Sequence, residues 1–174
     1  QWLVIYTYPL FWGIAWSAAY IYLKSEQVPQ FQVKNFLYFL LIFIFSWIGA
    51  KLLFSLSEKD FLSATREIKF VSGNGFVFYG GLMAGSLLMW SLSIFDKPWW
   101  RSISKRVLGA LVLGHSIGRV GCFLSGCCFG IPWKVFCCQL PHENFNRIPV
   151  PIFETFSLLI IFFILHKNRN RSFT

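Results

Sequence analysis

Residues 107–130 read VLGALVLGHSIGRVGCFLSGCCFG. The opening is wholly apolar, and the rest sets His115, Arg119, Cys122, Cys127 and Cys128 among glycines and bulky hydrophobic residues. An apolar run of this length reads as a helix crossing a membrane. Arg119 then stands inside a membrane segment, where a charge is costly and by default marks function or a specific partner. His115 lies four residues earlier, so the two share a helix face. Gly114, Gly118 and Gly121 let another helix or a ligand come close on a related face. Two plainer readings stand beside this one. Arg119 near a membrane surface can reach the headgroups along its own stem, and His115 can be a hydrogen-bonded packing residue.

The rest of the chain supports the membrane reading. Of 174 residues, 56% are hydrophobic, 20% aromatic and only 13% charged. Soluble domains carry about a quarter charged residues. Apolar segments occur at Trp2–Leu23, Phe36–Leu56 (with Lys51 near its end), Gly75–Phe95, Val107–Phe129 and Val150–Leu165. Each approaches the length needed to cross about 30 Å of hydrocarbon. Helices are expected, since lipid offers backbone N–H and C=O groups no partner. The sequence therefore predicts an all-α, polytopic membrane helix bundle with about five transmembrane helices. One transmembrane domain is expected over 1–174, with short connectors at 57–74 and 130–149. The first segment has no basic region before it and no small-residue cleavage site after it, and reads as a retained span. The stretch SEKDFLSATREIKFVSG (57–73) is either a short interfacial helix or a solvated connector.

The formal charge is +9. No basic run interleaved with aromatics is present to grip single strands, so no nucleic-acid partner is expected. The cations sort by connector instead. One side holds Lys24, Lys34, Lys97, Arg101, Lys105, Arg106, Lys167, Arg169 and Arg171; the other holds Lys59, Arg66, Lys69, Lys134 and Arg147. Nine against five predicts a cytoplasmic C-terminus, an external N-terminus and external connectors at 57–74 and 130–149.

Other residues could join Arg119. Glu154, in IPVPIFETF (148–156), is the acid embedded in the last segment, after prolines that fix the entry of the chain. It falls at a depth similar to Arg119, and pairing would relieve both desolvation costs. In GNGFVFYGGLMAG (73–85), Gly80, Gly81 and Gly85 form a small-residue face, and Tyr79 falls near the external interface. The five cysteines at 122, 127, 128, 137 and 138 gather at the outward end of the fourth segment. The paired cysteines could form disulfides or stay as free thiols. A zinc site would lack the usual CxxC spacing, although His142 is near, and no metal or cofactor is expected.

Three motifs in order carry a family likeness. HSIGRVGCFLSGCCFG resembles the signature of the prolipoprotein diacylglyceryl transferases, roughly G-R-x-G-N-F-x-N-G-E followed by an aromatic and a glycine. Gly118, Arg119, Gly121, Phe123 and Gly126 match it. FVFYGGLMAG resembles the family's F-H-G-G-L-x-G segment, and PVPIFETF its H-P-x-Q-L-Y-E segment, with Glu154 at the glutamate. The family's functional histidine falls on Tyr79, its signature asparagines on Cys122 and Ser125, its signature glutamate on Cys127 and its motif tyrosine on Phe153. The external head region is short, and no counterpart of the family's final arginine-bearing segment is present.

The resemblance implies an enzyme of the bacterial inner membrane that takes phosphatidylglycerol sideways from the bilayer. The diacylglyceryl group moves to the thiol of a lipobox cysteine in a prolipoprotein, and glycerol phosphate leaves. On that reading Arg119, Tyr79, His115 and Glu154 are the catalytic candidates. Gly80, Gly81, Gly118, Gly121, Cys122 and Ser125 would line the substrate site. Arg119 suits the phosphate, because its planar fork binds two oxygens; His115 or Tyr79 would serve as base. The alternatives are a non-catalytic lipid-binding or scaffold subunit of a larger membrane assembly, and a thiol–disulfide or metal-handling protein.

Overall fold

The computed structural model describes residues 2–24, 32–57, 77–132 and 146–168. These form five helices: α1 (Trp2–Lys24), α2 (Gln32–Ser57), α3 (Phe78–Phe95), α4 (Lys97–Leu124) and α5 (Val150–Asn168). Among the described residues there is no strand beyond one isolated bridge. From α2 to α5, all four helices are long and apolar enough to cross a membrane. The chain is a multi-pass helical membrane protein. At 23 residues α1 is long enough to span, but its tyrosines and tryptophans, with Thr7, Pro9 and Ser17, dilute its apolarity. Amphipathic aromatics of this kind favour the membrane interface.

The largest departure from the expected boundaries is α4, which begins at Lys97 rather than Val107. Asp96 starts it. Its Oδ1 accepts the N–H of Trp99 at 3.3 Å, an N-cap bond to the third helical residue. Lys97, Arg101, Lys105 and Arg106 therefore ride on the helix instead of lying in a connector. The interfacial segment expected at 57–73 lies, apart from Ser57, outside the described residues.

Two compact units make up the chain: Gln1–Glu26 with Ile103–Thr174, and Gln27–Ser102. In the unit Gln27–Ser102, α2 packs on α3 through glycines. A Cβ on Gly80 would meet Leu53 Cβ at 2.7 Å, and one on Gly81 would meet the Ser46 carbonyl at 3.0 Å. Lipid is as apolar as any side chain, so such close approach is what makes membrane helices associate. The Val77 N–H donates to the Ala50 carbonyl at 3.3 Å, tying the start of α3 to α2. At the opposite end of α3, Asp96 pairs with Lys34 and accepts the Tyr38 hydroxyl at 3.1 Å. Trp99, only 2% exposed, donates its indole N–H to Asn35.

In the other unit, α1 packs on α4 where side chains vanish. A Cβ on Gly121 would meet Phe11 Cβ at 2.6 Å, and one on Gly114 the Ala15 carbonyl at 3.3 Å. Tyr22 of α1 stacks edge-on against Phe162 of α5, centroids 5.3 Å apart, and its hydroxyl bonds His166 Nδ1 at 3.3 Å. Helices α4 and α5 are clamped at their adjoining ends. The Gly130 N–H donates to the Ile148 carbonyl at 2.9 Å, and the Ile148 N–H to the Ile131 carbonyl at 3.2 Å. Arg147 adds a bond to the Gly130 carbonyl at 3.2 Å. One turn into α5, the Thr155 hydroxyl bonds the carbonyl of buried Ser116 at 3.4 Å.

Candidate functional site

The clamp sets the register of α4 against α5. Arg119 lies five residues before Leu124, the end of α4, and Glu154 four residues after Val150, the start of α5. The two run in opposite directions from one joint, so the charges arrive at the same depth. Arg119 Nε stands 3.0 Å from Glu154 Oε2. Its N–H, however, is aimed at His115 Nε2, 3.2 Å away. Glu154 Oε2 is buried and accepts no hydrogen bond among the described residues. The pair is thus held by charge, with the directional bond going to the histidine. The Arg119 and Glu154 side chains keep 24% and 40% of their exposure, so the cluster opens outward.

His115, Phe153, Glu154, Ser157 and Leu158 line an open pocket of ≈ 300 Å³. A larger groove of ≈ 490 Å³ lies along α1 between Pro9 and Ile21, but it has no titratable lining residue. Chemistry needs the smaller one. Beside it, a Cβ on Gly118 would meet nothing within 4 Å. Gly118 therefore marks the open flank of the Arg119 turn, while Gly121 is filled by Phe11. The guanidinium of Arg119 commits only Nε to neighbours among the described residues. Its two terminal nitrogens remain for a ligand and form the edge that grips phosphate oxygens.

Beyond Arg119 the helix ends in a tight turn. Gly126 takes φ 69°, its N–H bonds the Phe123 carbonyl, and the Cys127 N–H bonds the Cys122 carbonyl, both at 3.0 Å. This is a Schellman motif, which brings the side chains of its third-last and post-cap residues together. Those residues are Cys122 and Cys127. Cys127 Sγ donates to the Cys122 carbonyl at 3.3 Å. Burial pushes the Cys127 thiol up to about 12. Ser125 Oγ is buried with no partner among the described residues. No disulfide joins Cys122, Cys127 and Cys128; the expected partners Cys137 and Cys138, like His142, lie outside the described residues.

The remaining candidates belong to the other unit. Tyr79 stands 70% exposed at the start of α3, its ring 5.8 Å from that of Phe78. Gly80 and Gly81 face α2, and their space is taken by it. One residue there escaped the site reading. Lys51 of α2 is 1% exposed, next to the Ala50 carbonyl that anchors α3. The signal was a lysine inside an apolar run, which marks function as readily as Arg119 does.

A family model described as prolipoprotein diacylglyceryl transferase matches residues 1–174. The chain belongs to that family. Among curated relatives, the phosphatidylglycerol–prolipoprotein diacylglyceryl transferase of Clostridium tetani is 32% identical over 130 residues, 70% of this chain and 52% of the relative. The second such transferase of Clostridium perfringens is 28% identical over 180 residues, 97% of this chain and 70% of the relative. A Leptospira interrogans relative of the same name is 32% identical over 117 residues, 59% of this chain and 35% of its own. The chain thus spans about half the length of the first of these relatives. No solved structure matches it significantly. The structure seats Arg119, on the stretch whose likeness to the family's signature the sequence suggested, against Glu154.

Proposed function

We propose that the chain transfers a diacylglyceryl group from phosphatidylglycerol to the cysteine thiol of a prolipoprotein, the activity named for its relatives. The supporting observation is Arg119, held at Nε by His115 and Glu154 with its two terminal nitrogens facing no partner among the described residues. In the transfer, the acceptor thiol loses its proton and its sulfur bonds the terminal glyceryl carbon. The carbon–oxygen bond to phosphate breaks, and the phosphate oxygen keeps the electron pair. One negative charge develops on the departing glycerol phosphate, where a preorganised cation contributes most. Arg119 supplies it.

The thiol proton needs an acceptor. His115 Nε2 is already accepting the Arg119 N–H, so this histidine serves better as the residue that positions Arg119. Glu154 lines the pocket and carries a carboxylate oxygen with no hydrogen bond among the described residues, and we assign it the proton. Tyr79, at the family's F-H-G-G-L segment, is assigned to lipid binding, as are Gly118 and Ser125, while Gly80 and Gly81 are assigned to packing against α2. Gly121 is assigned to packing against Phe11. The cation bias supports a cytoplasmic C-terminus, with the site toward the outer leaflet of the bacterial inner membrane.

The test is lipidation by purified protein, with phosphatidylglycerol vesicles and a lipobox peptide followed by mass. A diacylglyceryl gain that Arg119→Ala and Glu154→Gln abolish supports the assignment; a gain that survives Arg119→Ala overturns it. A second reading draws on Tyr79, Cys122 and Cys127 replacing the family's histidine, asparagine and glutamate: a lipid-binding subunit without transfer. No mass gain, with phosphatidylglycerol co-purifying with the wild type but not with Arg119→Ala, selects it.

A further inference from the structure

The sulfur atoms of Cys122, Cys127 and Cys128 all lie within 4.8 Å of one another. Two features of the chain put them there. The Schellman turn at Gly126 apposes Cys122 and Cys127. Cys128 takes φ 62°, a left-handed conformation that non-glycine residues rarely adopt. That conformation folds the chain back, so that the Cys128 sulfur comes to 3.7 Å from that of Cys127. Chain adjacency argues against a disulfide between these two. Neighbouring Cα atoms are about 3.8 Å apart, closer than the roughly 4.4 Å minimum of an ordinary bridge.

The spacing suits a metal instead. With metal–sulfur bonds of about 2.3 Å, the sulfur–sulfur edge of a trigonal or tetrahedral thiolate site is about 3.8–4.0 Å. The 3.7 Å between Cys127 and Cys128 is close to such an edge, and the outer limit of 4.8 Å asks for shifts of about an ångström at most. Cys128 is exposed and offers an entry path, while Cys122 is buried. Arg119 precedes Cys122 by three residues on α4 and so lies beside it. Three thiolates around a divalent ion leave one net negative charge, which that guanidinium offsets.

We propose that Cys122, Cys127 and Cys128 form a three-thiolate site for a thiophilic d10 cation, zinc(II) or copper(I), at the end of the helix that carries Arg119. Binding is not redox chemistry: each thiol bonds the ion through sulfur and releases its proton to solvent. Soft thiolate ligands select such ions over calcium or magnesium. The site stands independently of lipid transfer, since its readout is metal content.

The experiment uses the full chain, reduced and in detergent, titrated with cadmium as a spectroscopic probe and with zinc by metal analysis. The expected result is one ion per chain, a sulfur-to-cadmium charge-transfer band, and an affinity reduced more than about tenfold by each of Cys122→Ser, Cys127→Ser and Cys128→Ser. Cys137→Ser with Cys138→Ser should keep the site. Zinc should also shield three thiols of the wild type from maleimide, a readout that needs no variant to fold. Absence of the band, binding unchanged in Cys122→Ser, or binding lost only when Cys137 and Cys138 are replaced would each overturn the proposal.

Discussion

Arg119 and its two glycines set the finest scale on which the protein can be tested. Gly118 and Gly121 both match the signature, yet their surroundings differ. Gly121→Ala drives a Cβ into Phe11 at 2.6 Å, and overpacking of this kind costs about 1–3 kcal/mol. Gly118→Ala meets open space and gains up to about 1 kcal/mol of helix stability. Thermal unfolding in detergent should therefore rank Gly118→Ala at or above wild type and Gly121→Ala clearly below it. Arg119→Lys keeps the charge but loses the fork. Charge-assisted bonds of this sort are worth about 1.5–3 kcal/mol, so kcat/KM in the lipidation assay should fall roughly ten- to hundredfold. His115→Asn should lower the rate less than Glu154→Gln, because the histidine acts through Arg119. Equal losses would assign the proton transfer to His115 instead.

At the scale of the helices, the α3–α4 turn is a charge-dependent joint. The bond from Lys34 is the chief cause that holds the Asp96 carboxyl below the usual carboxylate range. A carboxyl with a folded pKa below its unfolded one stabilises the fold above the unfolded value, about 3.9. That contribution is lost as pH falls through the folded value. Melting temperature should fall on acidification below about pH 4, and Asp96→Asn should flatten that part of the profile while keeping an acceptor for the Trp99 N–H. An unchanged profile in Asp96→Asn would assign the acid sensitivity to other carboxyls. The α2–α3 contact is governed by volume rather than charge. Gly80→Leu would collide with Gly49 and Leu53 and should separate the helices, with loss of expression or folding yield.

For the whole molecule, topology is the measurable quantity. Cysteines introduced at Lys97 and Lys134, in a background lacking the native five, should react differently with a membrane-impermeant maleimide in intact cells. The reading from basic residues expects Lys134→Cys to label from outside and Lys97→Cys only after permeabilisation. The opposite pattern would invert the orientation and move the site to the inner leaflet. The two compact units also set what each test reads: the α1–α4–α5 unit carries Arg119, His115 and Glu154, while Tyr79, Gly80 and Lys51 belong to the α2–α3 unit.

Much of this was determined by the sequence alone. Apolar runs of membrane length dictate helices, because an unpaired backbone group has no partner in lipid, and five helices formed where five runs stood. The ordered motifs around Tyr79, Arg119 and Glu154 carried the family, which the match over residues 1–174 shows. The equal depth of Arg119 and Glu154 followed from counting residues inward from one joint. Other features needed the tertiary structure. The early start of α4 depends on Asp96 finding both a cap geometry and Lys34, a long-range pairing that local pattern does not encode. Which glycine is filled and which is open depends on where Phe11 lands. The convergence of three sulfurs depends on the left-handed turn at Gly126 and Cys128. Spacing along the chain did not suggest that cluster, because the backbone reverses between the first cysteine and the last.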